Sequence, residues 1–124
     1  MGLDQYAFYA RKEDAGNREA IGKALNRNEF QYWRKEYCID TWMRKLYWKK
    51  GGKDEFNCEP VKVEESDLYE LEEALETENF YDTYSFYEPD DDAKAYIKEK
   101  AKQFIEHARS LISDGFDVYY YNWW

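Results

Sequence analysis

The sequence predicts one α+β domain spanning residues 1–124. Its expected form is a small, mostly antiparallel sheet with two or three amphipathic helices packed on one side. Three observations carry this. Aromatic, alternating segments stand at both ends, DQYAFYA from Asp4 and FDVYYYNWW from Phe116. Between them lie long segments with apolar residues at helical spacing. Strands and helices interleave without the regular alternation of a doubly wound parallel sheet, and no linker or internal repeat divides the chain.

Taken in order, Asp4 to Ala10 reads as the first strand. Residues 11–28 are charged and carry two glycines, which suggests an excursion with a short helix near Glu19 to Leu25. The spacing then predicts a long helix from Glu29 to Lys50. Asn28 and Gln31 form its capping box, and Gly51-Gly52 stop it. At 100° per residue, Tyr32, Ile39, Trp42, Met43 and Leu46 share one face, while Phe30, Trp33, Tyr37 and Trp48 share the opposite one.

Residues 58–63, CEPVKV, read as a short strand, with Pro60 marking an edge or a strand start. The segment EESDLYELEEALETE is a helix with acidic residues in its first turn, where the macrodipole favours them. Phe80 to Glu88 is β-prone and reads as a strand or an aromatic loop. Pro89 and Asp90-Asp91-Asp92 open the clearest helix, which runs through Ser113 to Gly115. In the last segment Phe116, Val118 and Tyr120 point one way and Asp117, Tyr119 and Tyr121 the other. Asp4 to Ala10 is its natural pairing partner.

Hydrophobic residues make up 44% and aromatics 20% of the chain, which excludes a disordered polymer. The net charge of −9 argues against general nucleic-acid binding. That charge is unevenly spread: residues 1–53 carry 12 Lys or Arg against 7 Asp or Glu, and residues 54–124 carry 6 against 20. A basic surface near the first long helix therefore keeps nucleic-acid binding as a third, weaker reading. No apolar run is long enough to cross a bilayer, and two cysteines do not make a disulfide framework. The expected setting is cytoplasmic, with reduced thiols.

Few residues offer catalytic chemistry. His107 is the only histidine and sits away from the best apolar positions of its helix, as a surface residue would. Cys38 and Cys58 lack the CxxC and histidine partners of a zinc site. The Asp90-Asp91-Asp92 run lacks the spacing of a calcium loop and fits helix capping. No glycine-rich phosphate cradle occurs. Neither metal nor cofactor is expected.

What stands out is aromatic: Trp33, Arg34, Lys35, Tyr37 and Trp48 in the first long helix, and Tyr119, Tyr121, Trp123 and Trp124 in the final strand. One reading makes these the binding surface of a non-enzymatic interaction module. Its partner is another protein, or a second copy joined through the C-terminal strand. The alternative is a small ligand-binding protein or enzyme with an aromatic cleft. Arg34 and Lys35 then hold an anionic group while Trp33 and Tyr37 stack on the ligand.

The start Met1-Gly2-Leu3-Asp4, the run Tyr32-Trp33-Arg34-Lys35 with Ile39 and Trp42, and Val63 followed by Asp67-Leu68 resemble a group of small phage and bacterial proteins. The pattern there begins Met-Gly-Leu-Asp and continues Tyr-Trp-Arg-Lys-x-Asn-x-Ile-His-x-Trp. This chain has Tyr37 and Asp40 where that pattern has Asn and His. Some members carry a phosphoglycerate kinase label, which 124 residues without a nucleotide motif do not fit. The resemblance implies a phage or phage-like origin and a shared fold, and supplies no activity.

Overall fold

A computed structural model describes residues 2–82 and 89–124. Among these residues, four strands form one antiparallel sheet: β1 (Asp4–Arg11), β2 (Glu29–Arg34), β3 (Val61–Val63) and β4 (Phe116–Trp123), in the order β2-β1-β4-β3. Four helices join them: α1 (Arg18–Arg27), α2 (Tyr37–Lys49), α3 (Glu65–Ala74) and α4 (Asp91–Ser113). The α+β class with an antiparallel sheet is as the sequence predicts.

β1 and β4 form the spine, paired along their full length from Asp4 opposite Trp123 to Arg11 opposite Phe116. Alternation then sorts their side chains. Ala7, Val118 and Tyr120 point to an inner face, where Ile39 and Met43 of α2, Leu68 and Leu71 of α3, and Ile97 and Phe104 of α4 close over them. Phe8, Ala10 and Tyr119 point to the outer face, against Ile21 and Ala24 of α1. Three helices therefore cover one side. The fourth lies on the other, a departure from the expected one-sided layer.

The expected helix from Glu29 to Lys50 is two elements. Residues 29–34 pair with β1 as an edge strand, Trp33 opposite Gln5 and Tyr32 opposite Tyr6. The segment EFQYWR fits a period of two as well as a period of 3.6, and its aromatics favour the sheet. Lys35 then takes a left-handed backbone (φ 54°), which turns the chain into α2. Glu36 caps that helix by accepting from the Cys38 N–H (3.3 Å). Asn28 does not open a helix. It ends α1, and its side chain donates to the Tyr9 carbonyl (3.1 Å).

The other caps follow the sequence. Asp90 Oδ1 accepts from the Ala93 N–H (2.8 Å) at the start of α4, and Asp67 Oδ2 accepts from the Glu64 N–H (2.8 Å) at the start of α3. β3 is an edge strand just after Pro60. Of the expected strand or loop from Phe80 to Glu88, Phe80 closes a short 3-10 turn (Glu78–Phe80) and is buried with Tyr81; residues 83–88 lie outside the described part. Among the described residues, no helix is long and apolar enough to cross a membrane.

Candidate functional site

The outer face can be built row by row from the strand register. Arg34, Asp4 and Trp123 form the first row across β2, β1 and β4. Tyr32, Tyr6 and Tyr121 form the second, and Glu29, Phe8 and Tyr119 the third. α1 covers the third row: Phe8 stacks on Tyr119 (5.3 Å between centroids, 14° between planes), with Ile21 and Ala24 above them. The helix is only ten residues long and ends at Asn28, so rows one and two stay open. Tyr32 is 39% exposed and Trp123 57%, while Tyr6 and Tyr121 are half-buried.

Within the open half, Tyr6 lies 5.3 Å from Tyr32 and 6.2 Å from Tyr121, with rings tilted by 48° and 46°. The Tyr32 hydroxyl donates to Asp4 Oδ1 (2.6 Å), and Arg34 Nη1 approaches the same oxygen at 3.7 Å. Two hollows adjoin these rings and share Leu25, Cys58 and Tyr121 in their walls. One, of about 410 Å³, runs between α1 and residues 58–60 over Phe8 and Tyr119, and Arg18 pairs with Glu59 across it (3.5 Å). The other, of about 350 Å³, is bounded by Tyr6, Glu29, Tyr121 and Trp123. A wider polar hollow of about 660 Å³ lies elsewhere along α1, where Arg11 pairs with Asp14 and Asn17 caps the helix.

Every shifted tyrosine on this face is pushed upward. Burial raises Tyr6 first, and the carboxylates of Asp4 and Glu29 raise it further. Burial and the Cys58 thiol push Tyr121 up to about 12. The hydrogen bond to Asp4 is the main cause at Tyr32. These phenols stay neutral at physiological pH. The open half therefore presents ring faces, neutral hydroxyls and a carboxylate–guanidinium pair, which suit binding.

The inner face carries a different polar cluster. Asp40 Oδ1 accepts from the Tyr120 hydroxyl (2.8 Å) and from Asn122 Nδ2 (2.7 Å), and Asp40 Oδ2 accepts from Arg44 (3.1 Å). The Gln5 amide donates to the Tyr120 oxygen (2.8 Å) and clasps the Glu36 backbone at both its N–H (2.7 Å) and its carbonyl (3.0 Å). Burial raises Tyr120 well above the usual phenol range. Gln5, Asp40, Tyr120 and Asn122 are all closed from solvent, so this network fastens α2 to the sheet.

The structure divides the predicted site residues. Arg34, Tyr119, Tyr121 and Trp123 meet on the outer face. Trp33 does not join them: it is 1% exposed on the inner face, packed against Phe104 and Tyr120. Lys35 is exposed in the turn, Tyr37 starts α2 half-buried, and Trp48 is 56% exposed near the far end of that helix. The predicted cleft is thus not assembled, because Trp33 and Arg34 are consecutive strand residues and face opposite sides.

Joining two copies through the C-terminal strand also meets an obstacle, since β4 lies between β1 and β3. Cys58 N–H donates to the Asn122 carbonyl (2.9 Å), and the Asn57 side chain binds both the N–H (3.0 Å) and the carbonyl (2.9 Å) of Trp124. Trp124 is held by the 56–58 turn rather than offered to a partner. Tyr6, Tyr32, Glu29 and Leu25 were not among the predicted site residues. The signal for Tyr6 was the alternation of Asp4, Tyr6 and Phe8; Tyr32 was hidden by the helical reading of its segment.

His107 is exposed on α4 against the Phe30 ring (4.9 Å), and neither cysteine is in a disulfide. Among the described residues no cluster of His, Cys, Asp or Glu is placed to hold a metal ion. Compared with protein-family models, with curated proteins and with solved structures, the chain matches none.

Proposed function

We propose that the protein is a non-enzymatic protein-interaction module that engages its partner through the open half of the outer sheet face. The observation that carries this is the contiguous grid of Tyr6, Tyr32, Tyr121 and Trp123 with Arg34, beside which α1 stops short. Trp, Tyr and Arg are the residue types that most often dominate interface energies. Tyrosine gives broad contact area at a small cost in side-chain entropy, and here strands fix the rings in advance. The Tyr32 hydroxyl on Asp4 further limits ring motion. Cysteines outside any disulfide fit a reducing, cytoplasmic setting.

The test compares proteins retained from native-cell extract by wild type, by Tyr32→Ala/Trp123→Ala, and by a control, Tyr96→Ala on exposed α4. A partner retained by wild type and by the control, and lost by the double variant, is the expected result. A partner lost only with Tyr96→Ala moves the working surface to the helical layer and removes this reading.

A further inference from the structure

We propose that the cavity bounded by Tyr6, Tyr121, Trp123 and Glu29 is an aromatic cage for a quaternary ammonium group. This rests on the reading of the open sheet half as a binding surface, and it names what that surface grips. Three aromatic residues from two adjacent strands border one hollow of about 350 Å³, within the size range of ligand sites. Tyr6 and Tyr121 meet at 46° with centroids 6.2 Å apart, a splayed pair rather than a closed stack. Trp123 is two residues beyond Tyr121 on the same face and more than half exposed. The negative faces of such rings attract a cation seated within about 6 Å.

The surrounding charge has the matching sign. Glu29 forms no ion pair among the described residues and stands in the cavity wall. Of the cations around it, Arg34 pairs with Asp4 in the first row and Arg18 with Glu59 beyond Cys58, while Arg27 lines the separate polar hollow along α1. One free carboxylate thus biases the cage toward a positive ligand. A primary ammonium is strongly hydrated and needs three acceptors when it leaves water. Asn26, Cys58 and the two tyrosine hydroxyls share the wall with Glu29, so the choice of ligand rests on hydration: a quaternary ammonium gives up far less on leaving water for ring faces than a primary one does. A quaternary ammonium carries no N–H, so burying it against rings leaves no donor unsatisfied. That selects a trimethylammonium group, as found on a methylated lysine side chain or a choline headgroup.

The test titrates the full ¹⁵N-labelled chain at constant ionic strength with choline and with 3,3-dimethyl-1-butanol, its neutral isostere. Saturable shifts centred on Tyr6, Glu29, Tyr121 and the Trp123 indole are expected for choline in the millimolar range. The isostere should bind at least about fivefold more weakly, and Trp123→Ala should weaken choline about tenfold. Glu29→Gln keeps the shape and should give a smaller loss. Equal affinity for the isostere overturns the proposal, as does the lack of saturation by about 50 mM, where a site of millimolar Kd is full. Trimethyllysine peptides and phosphocholine vesicles then separate a protein source from a lipid one. If choline fails while Tyr32→Ala/Trp123→Ala still loses a protein partner, the cage is wrong and the interaction surface stands. If choline binds and that variant loses no protein, the surface reading fails and the cage remains.

Discussion

Trp33 and Tyr32 are neighbours in one strand, both aromatic, and they meet opposite environments. Trp33 turns inward and is sealed among Phe104, Tyr120 and the helices above them. Tyr32 turns outward beside Tyr6 on the half of the face that α1 leaves uncovered. The inner side of the sheet meets three helices, one of them 23 residues long, and the outer side meets one of ten. What separates core from surface in this molecule is therefore how far a helix reaches, and not the apolar character of the strand residue. An aromatic side chain left on the short-helix side is available for contact with another molecule.

Substitutions on the two sides should separate accordingly. The largest effect is expected for Asp40→Ala on the inner side. It leaves Tyr120, Asn122 and Arg44 without their shared acceptor and should cost about 3–5 kcal/mol in urea unfolding. A cost under about 1 kcal/mol would show that the inner network is not what fixes α2. Ile21→Ala probes the covered part of the outer side, where the cluster is small and only α1 must readjust. A loss near 2–3 kcal/mol, at the lower end for such truncations, is expected by the same assay.

The pH dependence sharpens the contrast. Burial at the start of α2 pushes the Glu36 carboxyl up to about 7 from 4.5, against the opposing pull of Lys100 and the Cys38 N–H. The folded state binds this proton more tightly than the unfolded one. The resulting contribution is present below about pH 4.5 and is lost as pH rises through about 7. Wild type should therefore lose about 3 kcal/mol relative to Glu36→Gln across that window, measured by unfolding at each pH. A parallel pair of curves would contradict the buried-carboxyl account. The smallest effect belongs to the open half: Trp123→Ala should change stability by less than about 1 kcal/mol, because a mostly exposed side chain gives up little burial.

The sequence made β1, β3, α3, α4 and β4 legible because each carries one clear period and its own punctuation: Pro60 before β3, Asp90 before α4, Gly115 after it. The same alternation put Val118 and Tyr120 on one face and Tyr119 and Tyr121 on the other. It could not say which face a helix would cover, since that depends on where α1 ends. β2 escaped because EFQYWR satisfies both periods and the break after it is made by Lys35 in a left-handed conformation, with no glycine or proline to mark it. That single misreading placed Trp33 beside Arg34 in a cleft and concealed Tyr32. The half of the site contributed by β4 was readable; the half contributed by β1 and β2 required the register.

On the proposed reading, the uncovered sheet half, and not the helical layer, meets the partner. Site-specific photo-crosslinking in native cells tests it most directly, with a photoreactive phenylalanine analogue placed in turn at positions 32, 123, 48 and 96. The account predicts discrete protein adducts from positions 32 and 123 and none from 48 and 96. Adducts from 48 or 96, with none from 32 and 123, would contradict it.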